Sequence, residues 1–164
     1  MNPHFKTFQQ QISQPWKFRL FLLRQLPAAF IAGLRLDVFD DQQASVRVRY
    51  GWLNQNPFRS MYFAVQSMAA EMSTGLLAFA QIYRRQPGVS MLVVAVEGNF
   101  FKKVTGTVHF ICNDGQKIQD AIEACLQDGE SRTITCDSNG INEDGETVAN
   151  FRVTWSFKAK ARKD

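Results

Sequence analysis

Between Arg59 and Arg84 lies a 24-residue stretch, Ser60 to Tyr83, that is patterned as one helix and carries a single charge, Glu71. A carboxylate among so many apolar side chains is costly unless it is paired, hydrated or used. The positions one helical turn away are Ser67, Met68, Thr74 and Gly75, none of them a cation. The face that Glu71 shares with Ser60, Ala64, Ser67, Thr74 and Ala78 is small, and the next face, Met61, Val65, Met68, Met72 and Leu76, is bulky and apolar. The bulky face is expected to bury itself and the small face to leave room around the acid. An acid so presented can serve as general base on water or as nucleophile. Partial desolvation would raise its pKa and make it the stronger base. The competing reading is a structural acid paired with Arg47 or Arg49 of a neighbouring strand. Ser67 and Thr74, one turn to either side, either hydrogen-bond the carboxylate or its water, or are small so that a helix can approach a sheet. Asn56, in the loop before the helix, either holds a water or a carbonyl by its amide or organises an Asn-Pro turn at the helix entry.

Other chemistries lack their residues. Only two histidines are present, His4 and His109. The HxxC spacing of His109 and Cys112 on a strand puts their side chains on opposite faces, so no metal site is expected. No GxSxG elbow accompanies His109, and no GxGxxG or GxxxxGK[ST] loop is present to cradle a nucleotide phosphate. Aromatic residues do not interleave with a basic strand, so nucleic acid is not an expected partner. Cys112, Cys125 and Cys136 are odd in number, widely spaced and match no disulfide framework, which fits a reducing, cytoplasmic setting. What remains is metal-free carboxylate chemistry centred on Glu71.

The elements that must position Glu71 follow from periodicity. At 164 residues, 45% hydrophobic and 21% charged, the chain is expected to be one globular domain, 1–164. Its net charge of +4 owes much to a basic tail over 158–164, with Lys158, Lys160, Arg162 and Lys163. Residues 4–26 read as one or two amphipathic helices, broken near Pro15 and stopped before Pro27. A core over about 33–160 follows. Leu34, Leu36 and Val38 alternate with polar neighbours, and so do Ala44, Val46, Val48, Tyr50 and Trp52, which predicts a hairpin of two strands. After the long helix and Pro87-Gly88 come Met91 to Val96, an apolar run typical of a strand covered on both faces, and a strand over Thr107 to Cys112. A short helix over about Gln116 to Gln127 and a strand over Arg132 to Cys136 precede a turn-rich stretch, Ser138 to Gly145. The final strand, Thr147 to Ala159, points Ala149, Phe151, Val153, Trp155 and Phe157 to one side. This order predicts an α+β fold, an antiparallel sheet curled over one long helix. No signal peptide is visible, and the polar residues of the long helix argue against stable membrane insertion. Arg19 and Arg24 beside Phe18, Leu20, Phe21 and Leu22 suit either a membrane surface or, more simply, a helix packed on its own sheet.

The segment Asn56-Pro57-Phe58-Arg59-Ser60-Met61-Tyr62-Phe63 and the helix that follows to Ala70-Glu71 resemble the central-helix motif of hotdog-fold acyl-CoA thioesterases. In the phenylacetate-type branch an HGG turn precedes a helix carrying A-E or A-D. Ala70-Glu71 falls where that branch places its catalytic carboxylate, Asn56 where it keeps a polar amide, and Tyr62 where it keeps the histidine. Over nearly all of residues 15–160 the chain is also similar to an uncharacterised bacterial thioesterase-like branch. The shared stretches are the Leu26-Pro27-Ala28-Ala29 stop, N-P-F-x-S-M-Y-F, and Ala70-Glu71-Met72-Ser73-Thr74-Gly75. Phe63 and Ala64 depart from the family by standing where the glycines belong, which narrows the approach to any oxyanion donor at the helix start.

The resemblance implies a hotdog fold with an extra N-terminal helix and a short helix between strand pairs. It implies a homodimer or homotetramer with its site between subunits, and an acyl-CoA or related thioester as substrate. Coenzyme A enters as part of that substrate, with no separate cofactor. Glu71 and Asn56 would be catalytic, and Tyr62, Phe63, Ser67 and Thr74 would contact substrate or water. The alternative is a non-catalytic hotdog protein that holds an acyl chain or acyl-CoA, favoured by the missing glycines and the phenylalanine-rich core. A hotdog hydratase would need a histidine where Arg59 stands and an acid near Asn54.

Overall fold

The computed structural model describes residues 1–160; Arg162 and Lys163 of the basic tail lie outside the described residues. Three helices open the chain, α1 (Phe5–Ile12), α2 (Pro15–Gln25) and α3 (Pro27–Ala32). Pro27 starts a helix as well as ending one, because at the first helical position its missing N–H would have no partner anyway. β1 (Arg35–Phe39) and β2 (Ala44–Arg49) form the expected hairpin. The long helix α4 (Phe63–Ile82) follows, then β3 (Val89–Phe100), β4 (Thr107–Cys112), α5 (Gly115–Asp128), β5 (Arg132–Asn142) and β6 (Thr147–Ala159). The six strands make one antiparallel sheet in the order β1-β2-β4-β5-β6-β3.

The sheet wraps α4. Val46, Val48, Phe110, Phe151, Val153 and Phe157 are buried on the strands, and Val65, Ala69, Leu77 and Ala80 are buried on the helix. At the centre of this contact the Ser73 hydroxyl meets that of Ser138 at 2.8 Å and also bonds the Ala70 carbonyl at 2.8 Å, so a buried polar pair is fully used.

Several expectations are corrected. α4 begins at Phe63 and not at Ser60, because Met61 is held extended: it bridges Gln55, and its N–H donates to the Val104 carbonyl at 2.8 Å. A bulge between Leu36 and Val38 breaks the alternation of β1, leaving Val38 exposed and Phe39 buried. β2 ends at Arg49, and Trp52 sits in a single 3₁₀ turn, 81% exposed. β5 runs on through Ser138 to Asn142, where the Asn142 side chain accepts from the N–H groups of Asp144 and Glu146 and makes the turn. Among the described residues β3 is an edge strand paired only with β6, and Leu92, Val94 and Val96 are exposed along it. It is covered on neither face over most of its length.

The N-terminus is tied to the far end of α4. The Asn2 side-chain amide donates to the carbonyls of Ala80 and Tyr83, each at 2.8 Å, and the Gln81 side chain accepts from the Asn2 N–H at 3.0 Å. These bonds satisfy carbonyls that a helix end leaves open. They also anchor α1 across α4, with Phe8 packed on Phe79 and Tyr83 at ring-centroid distances of 5.1 and 5.2 Å. Phe18 and Leu22 of α2 are buried, and Arg19 lies over the Phe30 ring and bonds the Phe30 carbonyl, so this face of α2 turns inward. Among the described residues no helix is long and apolar enough to cross a membrane.

Candidate active site

Glu71 opens into a cavity of about 720 Å³ between α1, α2 and α4, closed behind by Met91 and Trp155. Its floor on α4 is a stripe at helical spacing, Glu71, Met72, Gly75, Leu76 and Phe79, continued by Tyr83 just past the helix end. The opposite wall includes Phe8 and Ile12 of α1 and Leu20 and Phe21 of α2. The open space therefore lies on the bulky side of the helix, not the small side. Thr74 and Ala78 are small because they are pressed, fully buried, against the sheet.

The carboxylate of Glu71 has neither ion-pair nor hydrogen-bond partner among the described residues, although its side chain is only partly exposed to solvent. Burial alone pushes its pKa above the usual carboxylate range. The structural pairing with Arg47 or Arg49 is not made. Arg47 Nε lies 3.3 Å from Asp37 Oδ1, with His109 Nδ1 on the other Asp37 oxygen at 2.9 Å, and Arg49 lines a separate depression beside Trp52. Gly75 is what leaves the acid its room. A methyl group there would stand 3.2 Å from Glu71 Oε1 and 3.2 Å from the Trp155 ring.

The other candidates divide. Thr74 is next to Glu71 but committed elsewhere: its hydroxyl donates to the Glu71 carbonyl at 2.9 Å and accepts from the Trp155 indole N–H at 2.9 Å. It does not touch the carboxylate. Ser67 is half-buried and is not part of the cavity lining. Asn56, Tyr62 and Phe63 gather around a second depression, with Gln66 and Phe100. There the Asn56 side chain accepts from the N–H of Phe58 at 2.9 Å and donates to the Ser60 hydroxyl at 3.1 Å, which makes it the organiser of the loop. The Tyr62 N–H is spent on the Asn54 carbonyl at 2.8 Å. The N–H groups of Phe63 and Ala64, in the first turn of α4, have no intrahelical acceptor to reach. Eight residues separate Phe63 from Glu71, about 12 Å along a helix. One chain therefore cannot bring both to a single carbonyl group.

Sequence reasoning missed Trp155 and Gly75 as shapers of the site, and missed Gln66, whose buried side-chain oxygen has no partner beside Asn56 and Tyr62. A polar amide near the start of an apolar helix was the available signal. The three cysteines are buried as free thiols; burial pushes Cys112 up to about 12 and Cys136 upward as well, so neither is a ready nucleophile. Among the described residues no three His, Cys, Asp or Glu side chains converge on a point that would hold a metal ion.

Residues 15–157 match a family described as Domain of unknown function (DUF4442). The fold is similar to that of PA5026 from Pseudomonas aeruginosa, described as a probable thioesterase, at a TM-score of 0.73 and 19% identity over 90% of this chain and 97% of that one. It is similar to thioesterase HI1161 from Haemophilus influenzae at a TM-score of 0.62 and 12% identity, over 89% and 91% of the two chains. The PaaI protein of the E. coli phenylacetic acid degradation operon gives 0.60 and 14% identity, over 89% and 93%. The shared architecture is the hotdog fold. No curated protein matches the chain.

Proposed function

The chain belongs to the DUF4442 family, and within that hotdog, thioesterase-like frame we propose that it hydrolyses acyl-CoA or related thioesters as a homo-oligomer, with Glu71 as general base. The observation that carries this reading is an unpaired, desolvated carboxylate facing an apolar cavity. Such a group is costly to keep, and its raised pKa suits it to take a proton. Glu71 would remove a proton from water as the water oxygen bonds to the thioester carbonyl carbon. Collapse of the tetrahedral intermediate would break the C–S bond, with Glu71 returning its proton to the leaving sulfur. The oxyanion would be met by the N–H groups of Phe63 and Ala64 at the start of α4, where the helix dipole also favours negative charge. Because those groups lie about 12 Å from Glu71 along one helix, a second subunit would supply them, together with Asn56 to hold the water or carbonyl. The exposed apolar edge strand β3 is the surface suited to join the subunits.

A binding-only reading is favoured by one observation: among the described residues no side chain hydrogen-bonds the Glu71 carboxylate to orient it. Thiol release from a panel of acyl-CoAs separates the two. Turnover by the wild type that falls at least about a hundredfold in Glu71→Gln, in line with loss of a general base, supports hydrolysis. Binding of the same thioesters without turnover leaves a carrier.

A further inference from the structure

We infer that the cavity between α1–α2 and α4 is an acyl-chain chamber contained within one subunit and sized for the tail of a long-chain acyl group. This deepens the hydrolase reading and rests on it for the position of the thioester. The α4 stripe fixes the chamber's length. From Glu71 to the helix end at Ile82 is eleven residues, about 16 Å of helix, with Tyr83 just beyond. The hydrocarbon core of a bilayer is about 30 Å thick, so one leaflet, and with it one long acyl chain, is close to that length. Glu71 stands at one end. The other end is bordered by aromatic rings, Phe8 against Phe79 and Tyr83, and the Tyr83 hydroxyl bonds the Gln11 side chain at 3.1 Å. Between the ends the lining is Met72, Leu76, Leu20 and Phe21.

The two cations of the wall do not oppose an apolar occupant. Arg24 is exposed, and Lys17 holds its Nζ 5.6 Å from the ring of the exposed Trp16, so neither is buried in the cavity. The wall itself is fixed rather than loosely draped, since Asn2 bonds the last turn of α4. In this arrangement a long tail lies along α4 with its methyl end at the aromatic rings and its thioester at Glu71, while short acyl groups leave most of the chamber unfilled.

The test is calorimetric binding of non-hydrolysable thioethers, S-hexadecyl-CoA and S-butyl-CoA, to the full chain. The hexadecyl compound is expected to bind at least tenfold more tightly. Leu20→Trp, which fills the middle of the chamber, should abolish most of that ratio. Phe79→Trp, at an exposed position at the far end, should likewise lower the hexadecyl preference over butyl, and it serves if Leu20→Trp fails to fold. Equal affinity for both thioethers, or a folded variant that keeps the full hexadecyl preference, overturns the chamber. The thioethers cannot be cleaved, so the two readings fail separately. Tight hexadecyl binding without thioester turnover defeats only the hydrolase, and Glu71-dependent turnover without chain-length preference defeats only the chamber.

Discussion

The indole N–H of Trp155 donates to the Thr74 hydroxyl across 2.9 Å, joining β6 to α4 one helical turn beyond Glu71. Trp155 is thereby held with its ring against the space above Gly75, where it forms the back wall of the Glu71 cavity. Thr74→Val keeps the shape and removes the acceptor, leaving a buried indole N–H unpaired. We expect a loss of about 1–3 kcal/mol in denaturant unfolding. Activity on thioesters should also fall as the ring loses its fixed orientation. An unchanged unfolding midpoint would mean that the bond contributes nothing.

Glu71 makes a pH prediction of definite sign. Its folded-state pKa is raised by burial, so the folded chain holds a proton that the unfolded chain would release, and stability falls as pH rises through that interval. The penalty is absent below an ordinary glutamate pKa of about 4.3 and complete above the raised folded value. Glu71→Gln should therefore melt higher than wild type at neutral and alkaline pH, with the gap closing in acid. With Glu71 as the proposed general base, turnover would need the deprotonated form, so its acidic limb should lie above the ordinary glutamate range. A melting gap independent of pH would contradict both statements.

Gly75→Ala sets helix propensity against the site. An alanine within a helix gains about 1 kcal/mol over glycine, but its methyl group would press on the Glu71 carboxylate and the Trp155 ring at 3.2 Å. Stability is expected to stay within about 1 kcal/mol of wild type while kcat falls severalfold. Wild-type kcat in a stable Gly75→Ala protein would show that the room around the acid is not used.

Asn56→Asp retains an oxygen to accept from the Phe58 N–H and removes the amide donor to Ser60. If the amide also serves substrate, turnover drops with a stability change of only about 0.5–1.5 kcal/mol, the worth of one hydrogen bond. Loss of stability with turnover per folded molecule unchanged would confine Asn56 to the loop.

The edge strand predicts the assembly. A single Val94→Lys or Val96→Lys places a charge on an exposed apolar edge, the device by which sheets block edge pairing. Sedimentation should show a shift toward monomer, and turnover should fall with it, since one chain holds Glu71 and Phe63 too far apart to share a carbonyl.

The sequence alone determined what local chemistry dictates. Helical spacing around Glu71 placed α4 to within three residues of its start, and strict alternation from Ala149 to Phe157 gave both the extent and the buried face of β6. The absence of a cation within one turn of Glu71 excluded a partner on its own helix, because intrahelical pairing reaches only three or four residues, but it left a partner on a neighbouring strand, Arg47 or Arg49, open. Tertiary structure decided the rest. Whether the small or the bulky side of α4 faces open space depends on how closely the sheet approaches, and Thr74 and Ala78 went to the sheet. Whether an apolar strand is central or marginal depends on strand order, and β3 fell at the edge. The cavity required α1 and α2 to fold back over α4, held by Asn2 to residues about eighty positions away. Periodicity reports the neighbours of a residue along its own element, and contacts of that separation leave no trace in it.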